Sequence, residues 1–304
     1  MRAALVVVAL ALALPATTTA APSSLGPRVS EALATRYAPL LSLHPQERYG
    51  PMRVPDFLAH ATLRWGRTVV ARQGSVRPGR LGARCDRAPE GCYRHAGSRA
   101  DEETRPLGGG SDAPGFALDL DDARYAGSRG DVPALYDVRV GRRRVTITYW
   151  TFYGYDEPVI FLETATPTKI EKLTALLAHE GDWERIVVVL SAALRPRGVR
   201  FHQHATSRFV PWERVQRIDG AHPVVWVARG KHASYARPGT SRDCLGPRAC
   251  LLDERATGGR AIRTWETGLV PVRSRAWYGF GGAWGRAGEL ADTTGPLGPS
   301  RYKR

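Results

Sequence analysis

The stretch Leu135-Tyr136-Asp137-Val138-Arg139-Val140-Gly141-Arg142-Arg143-Arg144-Val145-Thr146-Ile147-Thr148-Tyr149-Trp150-Thr151-Phe152-Tyr153 decides the fold class. Its two runs are rich in valine, isoleucine, threonine, tyrosine and tryptophan, whose branched or aromatic side chains suit a pleated surface. Gly141 lies between them, so Leu135 to Val140 and Arg144 to Tyr153 are expected to form a β-hairpin. Arg185 to Leu190, Gly198 to His204 and Pro223 to Ala228 continue the pattern. Short strands with Gly- and Pro-rich connections predict a mainly β chain, an antiparallel β-sandwich with peripheral α-helices.

Helical spacing of apolar residues marks three exceptions. Arg28 to Leu41, with Pro39 near its end, and Val54 to Leu63, with Pro55 in its first turn, add α+β elements at the N-terminus. Pro167 to His179 reads as an amphipathic helix inserted in the strand series. Gln73 to about Pro114 is dense in Gly, Arg, Pro and Asp and is expected to be a long loop. No internal repeat is present. One domain over 22–304 is the simplest organisation.

Arg2, the apolar run Ala3 to Pro15 and the small residues Ala16 to Ala21 have the layout of a secretory signal peptide. Cleavage is expected near Ala20 or Ala21. The run is shorter than the about 20 apolar residues that a membrane-spanning helix needs, and no later stretch supplies a transmembrane segment. The expected product is a secreted or extracytoplasmic chain of about 280 residues. Its four cysteines fall into two close pairs. In an oxidising compartment such a set points to disulfides, here Cys85–Cys92 and Cys244–Cys250, although spacing leaves the other pairings open. A zinc knuckle is the rival, but these spacings exceed its usual one.

The net charge of +15 admits nucleic acid, an anionic membrane or an acidic polymer as partner. The positive charge is almost all arginine and is spread along the chain, densest at Arg142 to Arg144, with no RNP-type or helix-turn-helix signature. A specific nucleic-acid partner is therefore not expected. An envelope or other anionic surface suits an exported protein better.

The chemistry concentrates in His179-Glu180-Gly181-Asp182-Trp183-Glu184, which leads into a strand. Asp182 and Glu184 are two apart and share a face on an extended chain. His179 sits just before them, where Gly181 permits a sharp turn. Two carboxylates and an imidazole can make half of a metal site, and Asp156 can supply a further oxygen. Pairing of Asp182 and Glu184 with arginines such as Arg185 is the plain alternative. The His-Glu pair is not a zincin motif, because Trp183 stands where the second histidine is needed. His202 and His204 are two apart on an expected strand and so are expected to share a face. His232-Ala233-Ser234-Tyr235 follows Gly230, and its histidine could reach the site as acid, base or ligand. Ser234 lacks a nucleophile elbow around it. Trp150, Trp183 and Trp226 are expected in the core.

His179 to Glu184 resembles the H-x-G-D-W-E signature of the Vps62-like family (vacuolar protein sorting-associated protein 62). The likeness extends to Tyr37-Ala38-Pro39, Leu43 to Tyr49, Tyr149 to Tyr153, His204, Pro211-Trp212 and His222 to Tyr235. It spans about Tyr37 to Gly239 and leaves a C-terminal extension. A more distant likeness is to the necrosis-inducing (NPP1-like) proteins, secreted cytolysins with the signature G-H-R-H-D-W-E. Ala178 replaces the glycine there and Gly181 the second histidine. That resemblance implies a divalent cation held at the rim of a β-sandwich by the first histidine, the Asp, the Glu and an upstream Asp. In this chain these are His179, Asp182, Glu184 and Asp156.

The expected function is divalent-cation-dependent recognition of a surface glycan, a lipid headgroup or another anionic ligand, with a cytolysin-like action as a variant. One imidazole with three carboxylates suits calcium or magnesium, with manganese or zinc as alternatives. The enzymatic alternative is a metal-dependent hydrolase in which His232 or His204 moves protons. A structural domain whose acidic cluster forms salt bridges is the third reading.

Overall fold

Two sheets face one another across an apolar layer because their strands alternate. In β6 (Arg144–Asp156), Val145, Ile147, Tyr149 and Tyr153 point to one side while Trp150 and Phe152 point to the other. The computed structural model describes residues 24–81, 116–288 apart from 245 and 247, and 293–302. The expected signal peptide, Cys85, Cys92 and most of the expected 73–114 loop lie outside the described residues.

β6 is central to a six-stranded sheet with β5 (Ala134–Val140), β8 (His179–Ser191), β9 (Pro196–Gln203), β10 (Thr206–Pro211) and β17 (Leu269–Pro271), in the order β10-β9-β8-β6-β5-β17. The opposing sheet runs β11 (Arg217–Ile218), β12 (His222–Val227), β1 (Leu40–Ser42) and β16 (Ala261–Arg263), with β13 (Ser234–Tyr235) paired to β12. Leu41, Val225, Val227 and Ile262 from this sheet meet Val145, Ile147, Tyr149, Ile186, Val188, Leu190, Val199 and Phe201 from the other. Helix α1 (Pro27–Arg36) closes one side through Ala34 and Tyr37, and the Tyr149 hydroxyl donates to the Ala34 carbonyl at 2.6 Å. The chain is mainly β, a sandwich with peripheral helices. Not every pairing is antiparallel, since β1–β12 and β17–β5 run parallel.

A second core covers one end of the six-stranded sheet on its outer face. It gathers Phe57 and Leu58 of α2 (Val54–His60) and Leu118 and Leu120 of β4 (Phe116–Leu120) with Trp150, Phe152, Trp183, Trp277, Trp284 and Tyr302. The ring of Trp284 lies 5.2–5.9 Å from those of Phe57, Phe152, Trp183, Trp277 and Phe280. Consequently the first eight residues of β8 are buried on both faces, and alternation with half-buried residues begins only at Val187. Trp150, Trp183 and Trp226 are all core residues.

The expected helices are shorter than their patterns. α1 stops at Arg36, since Pro39 disfavours helix at Ala38. Leu40 to Ser42 instead pair with Val224 to Trp226. α2 stops at His60, where β2 (Ala61–Trp65) pairs with β4 and with β3 (Thr68–Ala71). A further short helix, α3, spans Pro78–Leu81. α4 (Pro167–Leu177) is capped by Thr166, and His179 belongs to β8 because its backbone is opposite Asp156. Besides the expected strands, β7 (Val159–Leu162), β14 (Gly239–Cys244) and β15 (Ala249–Arg255) form a separate three-stranded sheet. The Cys244–Cys250 disulfide joins β14 to β15. No described helix is long and apolar enough to cross a membrane.

Candidate functional site

The site forms where β6 ends and β8 begins. Strict alternation would put Glu180, Asp182 and Glu184 on one face. Gly181 breaks it: its φ is +64°, and an added Cβ would lie 1.7 Å from the Trp284 carbonyl oxygen. Glu180 therefore turns to the outer side, where its carboxylate accepts from the Leu120 and Arg286 amides and the Tyr125 hydroxyl, each at 2.9 Å. Burial pushes its carboxyl up to about 7 despite those amide donors. Glu180 is thus a clasp between β8, β4 and the C-terminal segment. Asp182 and Glu184 face the other way, as their spacing predicts.

Asp156, Asp182 and Glu184 line one small cavity of about 10 Å³ together with His204 and Lys231. That is room for a single water-sized occupant. All three carboxylates are buried, as is His179. His179 Nδ1 lies 2.9 Å from the Gly181 carbonyl oxygen. A carbonyl only accepts, so Nδ1 carries the hydrogen, while Nε2 faces the Asp156 carboxylate at 3.7 Å. Asp156, His204 and Lys231 also line a larger cleft of about 690 Å³, which His179, Tyr235, Arg242 and Asp253 border. Among the described residues, no three His, Cys, Asp or Glu side chains converge closely enough, as they stand, to hold a metal ion.

His232 is fully buried. Its Nδ1 donates to Asp182 Oδ2 at 3.0 Å and its Nε2 to the Tyr49 carbonyl at 3.0 Å, with the Glu47 carboxylate 3.6 Å away. Its ring stacks on Tyr153 with centroids 3.7 Å apart. Burial opposes the charge, but Asp182 and Glu47 outweigh it and raise the imidazole to about 10. Burial likewise works against the Glu47 charge, yet His232 and the Gly230 and Tyr49 amides hold its carboxyl down at about 2. An imidazolium with both nitrogens donating is an anchor for Asp182. It has no lone pair left for a metal.

His202 and His204 do not share a face. His204 follows β9, in the turn to β10, with φ of +50°, in the left-handed region, which turns it into the cleft. There it is partly exposed, and Nε2 lies 2.8 Å from Asp253 Oδ2. The Tyr235 hydroxyl also donates to Asp253. Burial tends to raise the Asp253 carboxyl, but His204 and Tyr235 lower it overall. His202 keeps to the outer face of the sheet. Ser234 is buried in β13, and its carbonyl accepts from Gln203 at 3.3 Å.

Glu47, Lys231, Tyr235 and Asp253 are site neighbours that motif reading missed as functional residues. Glu47, Lys231 and Tyr235 lie inside recognised segments, but only the tertiary fold brings them to the carboxylates.

No protein-family model matches the chain, and no characterised protein matches its sequence. Several solved structures are similar to it at low identity and low TM-score. One is described as a toxin fold for microbial attack and plant defense, with 14% identity, a TM-score of 0.38 and 84% of this chain and 81% of that one covered. Another is NLPPya in complex with mannosamine, with 14% identity, a TM-score of 0.37 and coverage of 85% and 81%. A third is necrosis and ethylene inducing protein 2 from the causal agent of cocoa's witches' broom disease, with 16% identity, a TM-score of 0.31 and coverage of 83% and 76%. Superposition this loose leaves the residues of the site to carry any functional reading.

Proposed function

We propose that this chain is a secreted protein that binds a divalent cation among Asp156, His179, Asp182 and Glu184 and uses it to recognise a surface glycan or lipid headgroup. The observation that carries the reading is the meeting of three buried carboxylates around a cavity of about 10 Å³, which adjoins a cleft of about 690 Å³. Buried carboxylates in such proximity need a compensating cation. The histidine fits the donor set, because a metal-binding imidazole commonly fixes its second ring nitrogen on a backbone carbonyl, as His179 does on Gly181. His232 holds Asp182 in place through its Nδ1 hydrogen bond. A hard cation with oxygen donors, calcium or magnesium before manganese or zinc, suits three carboxylates and one imidazole. With coordination positions open, such an ion is chelated by adjacent hydroxyls or a phosphate of the ligand. Side-chain adjustment must accompany binding, since the donors do not converge as they stand. The Cys244–Cys250 disulfide agrees with an oxidising compartment.

The His204–Asp253 pair favours one second reading, a metal-dependent hydrolase in which His204 moves protons beside the ion. His232, locked between Asp182 and Tyr49, is poorly placed for that work.

The test is metal content by mass spectrometry after incubation with calcium, magnesium, manganese and zinc in turn. Near-stoichiometric metal is expected in the natural sequence, with loss in Asp156→Asn and Glu184→Gln, which do not disturb His232. Absence of metal in the natural sequence overturns the proposal and leaves the carboxylates to Lys231 and the His232 imidazolium.

A further inference from the structure

The uncovered half of the outer sheet face is an arginine-lined cleft with a volume of about 440 Å³. Its construction follows from register. Asp137, Thr148, Val187 and Arg200 form one row across β5, β6, β8 and β9, and Arg139, Thr146 and Val189 form the next. Trp150 pairs with Arg185 at the end where the second core begins. Tyr278, Pro299 and Tyr302 wall that end, and Gly141 and Arg144 of the hairpin border the other.

The charges are one-sided. Arg139, Arg144, Arg185 and Arg200 line the cleft, against one carboxylate, Asp137. That carboxylate is already engaged by Arg139 at 2.6 Å and by Arg273 at 2.6 and 3.1 Å. Arg185 is buried, its guanidinium 5.1 Å from the Trp150 ring centroid and 4.9 Å from that of Tyr302. Arg200 is placed by a hydrogen bond to Ser207 at 3.2 Å. These cations are therefore held in position by rings, hydroxyls and the sheet itself. The positive field registers on His202 between them: burial, then Arg185 and Arg200, push its imidazole down to about 3. Half-buried Thr146 and Thr148 set hydroxyls on the floor.

We infer that this cleft is a second binding site, sharing only Tyr302 with the lining of the carboxylate cavity, for a compact ligand bearing a phosphate monoester. Guanidinium forks match phosphate oxygens in pairs, and hydroxyls supply the remaining donors. Tyr278, Tyr302 and the Val187–Val189 floor offer the rest of a small ligand an apolar and aromatic bed. The phosphate can come from a soluble ester or from a lipid headgroup, and the experiment separates the two.

The full chain is titrated with glucose 6-phosphate and with inorganic phosphate by calorimetry, and is sedimented with phosphatidylcholine vesicles with and without phosphatidic acid. Arg144→Gln and Arg200→Gln remove charges from the cleft without touching the buried Arg185. Arg142→Gln and Arg143→Gln remove equal charge from the same hairpin turn but outside the cleft. Saturable binding is expected, weakened about tenfold or more by each cleft variant and unchanged in the turn variants. Glu184→Gln should leave it intact, which separates this site from the proposed cation site. Binding by the soluble probes identifies a free ester as the source, and binding by phosphatidic acid vesicles alone identifies a headgroup. No saturable binding by any probe overturns the inference. So does equal weakening in the cleft and turn variants, which would mark plain surface attraction.

Discussion

Gly181→Ala tests the claim that one residue sorts the acidic cluster onto two sides of β8. Two costs are expected. A φ of +64° is disfavoured for an L-residue by about 1–2 kcal/mol. The new Cβ would also sit 1.7 Å from the Trp284 carbonyl, so the backbone of a packed tryptophan must move, an overpacking cost of about 1–3 kcal/mol. The sum is about 2–5 kcal/mol, or roughly 5–20 °C in Tm for a chain of this size. Gly220→Ala and Gly258→Ala are the controls: their φ values are +82° and +89°, yet an added Cβ meets nothing within 4 Å. They carry the backbone cost alone. Urea unfolding of the three variants isolates the steric part by difference. If Gly181→Ala is no less stable than the controls, the close approach of Trp284 does not constrain the strand and the reasoning fails.

Two further outcomes are expected. Replacing Cys244 and Cys250 together by serine opens a closed loop of only a few residues, so the loss should be about 2 kcal/mol at most, read from urea midpoints; a larger loss would mean that the bridge supports more than the β14–β15 hairpin. Burial, and then Arg185 and Arg200 beside it, keep native His202 from taking up a proton down to about pH 3, whereas the unfolded chain takes up that proton near pH 6.5. Stability should therefore fall as pH drops below 6.5, by about 1.4 kcal/mol per unit from this residue. His202→Gln should flatten that slope by one proton, and an unchanged slope between pH 6 and about 4.5 would contradict the burial of a neutral imidazole.

Strand identity was legible where composition and alternation agree, as along Arg144 to Tyr153 and Arg185 to Leu190. It was less legible where both faces of a strand are buried. His179 to Glu184 carries no period because a second core covers the side that is usually solvated. Helix ends were overrun at Leu41 and Leu63 because apolar spacing cannot tell a helix from the short strand that follows it. The shared face of Asp182 and Glu184 followed from spacing, whereas the sharp turn expected at Gly181 is instead a left-handed residue within β8 that turns Glu180 to the other side. The divergence of His202 from His204 did not, because a left-handed residue at a strand end resets the direction of its side chain. Glu47, Asp253 and the arginine rows depend on pairings between distant segments, for which the chain has no local signal.

The second core has a consequence for synthesis. The part of its outer wall beyond α2 and β4 is built from Trp277, Trp284 and Tyr302, while the sheet residues they cover include Trp150 and Trp183. A chain leaving the ribosome exposes Trp150 roughly half its length before Tyr302 arrives to cover it. During that interval the central sheet, even if paired, keeps one greasy face bare and open to wrong partners. Completion of the barrier against aggregation is thus tied to residues 277–302, and a ribosome stalled before residue 277 would hold a product that cannot fully hide its tryptophans.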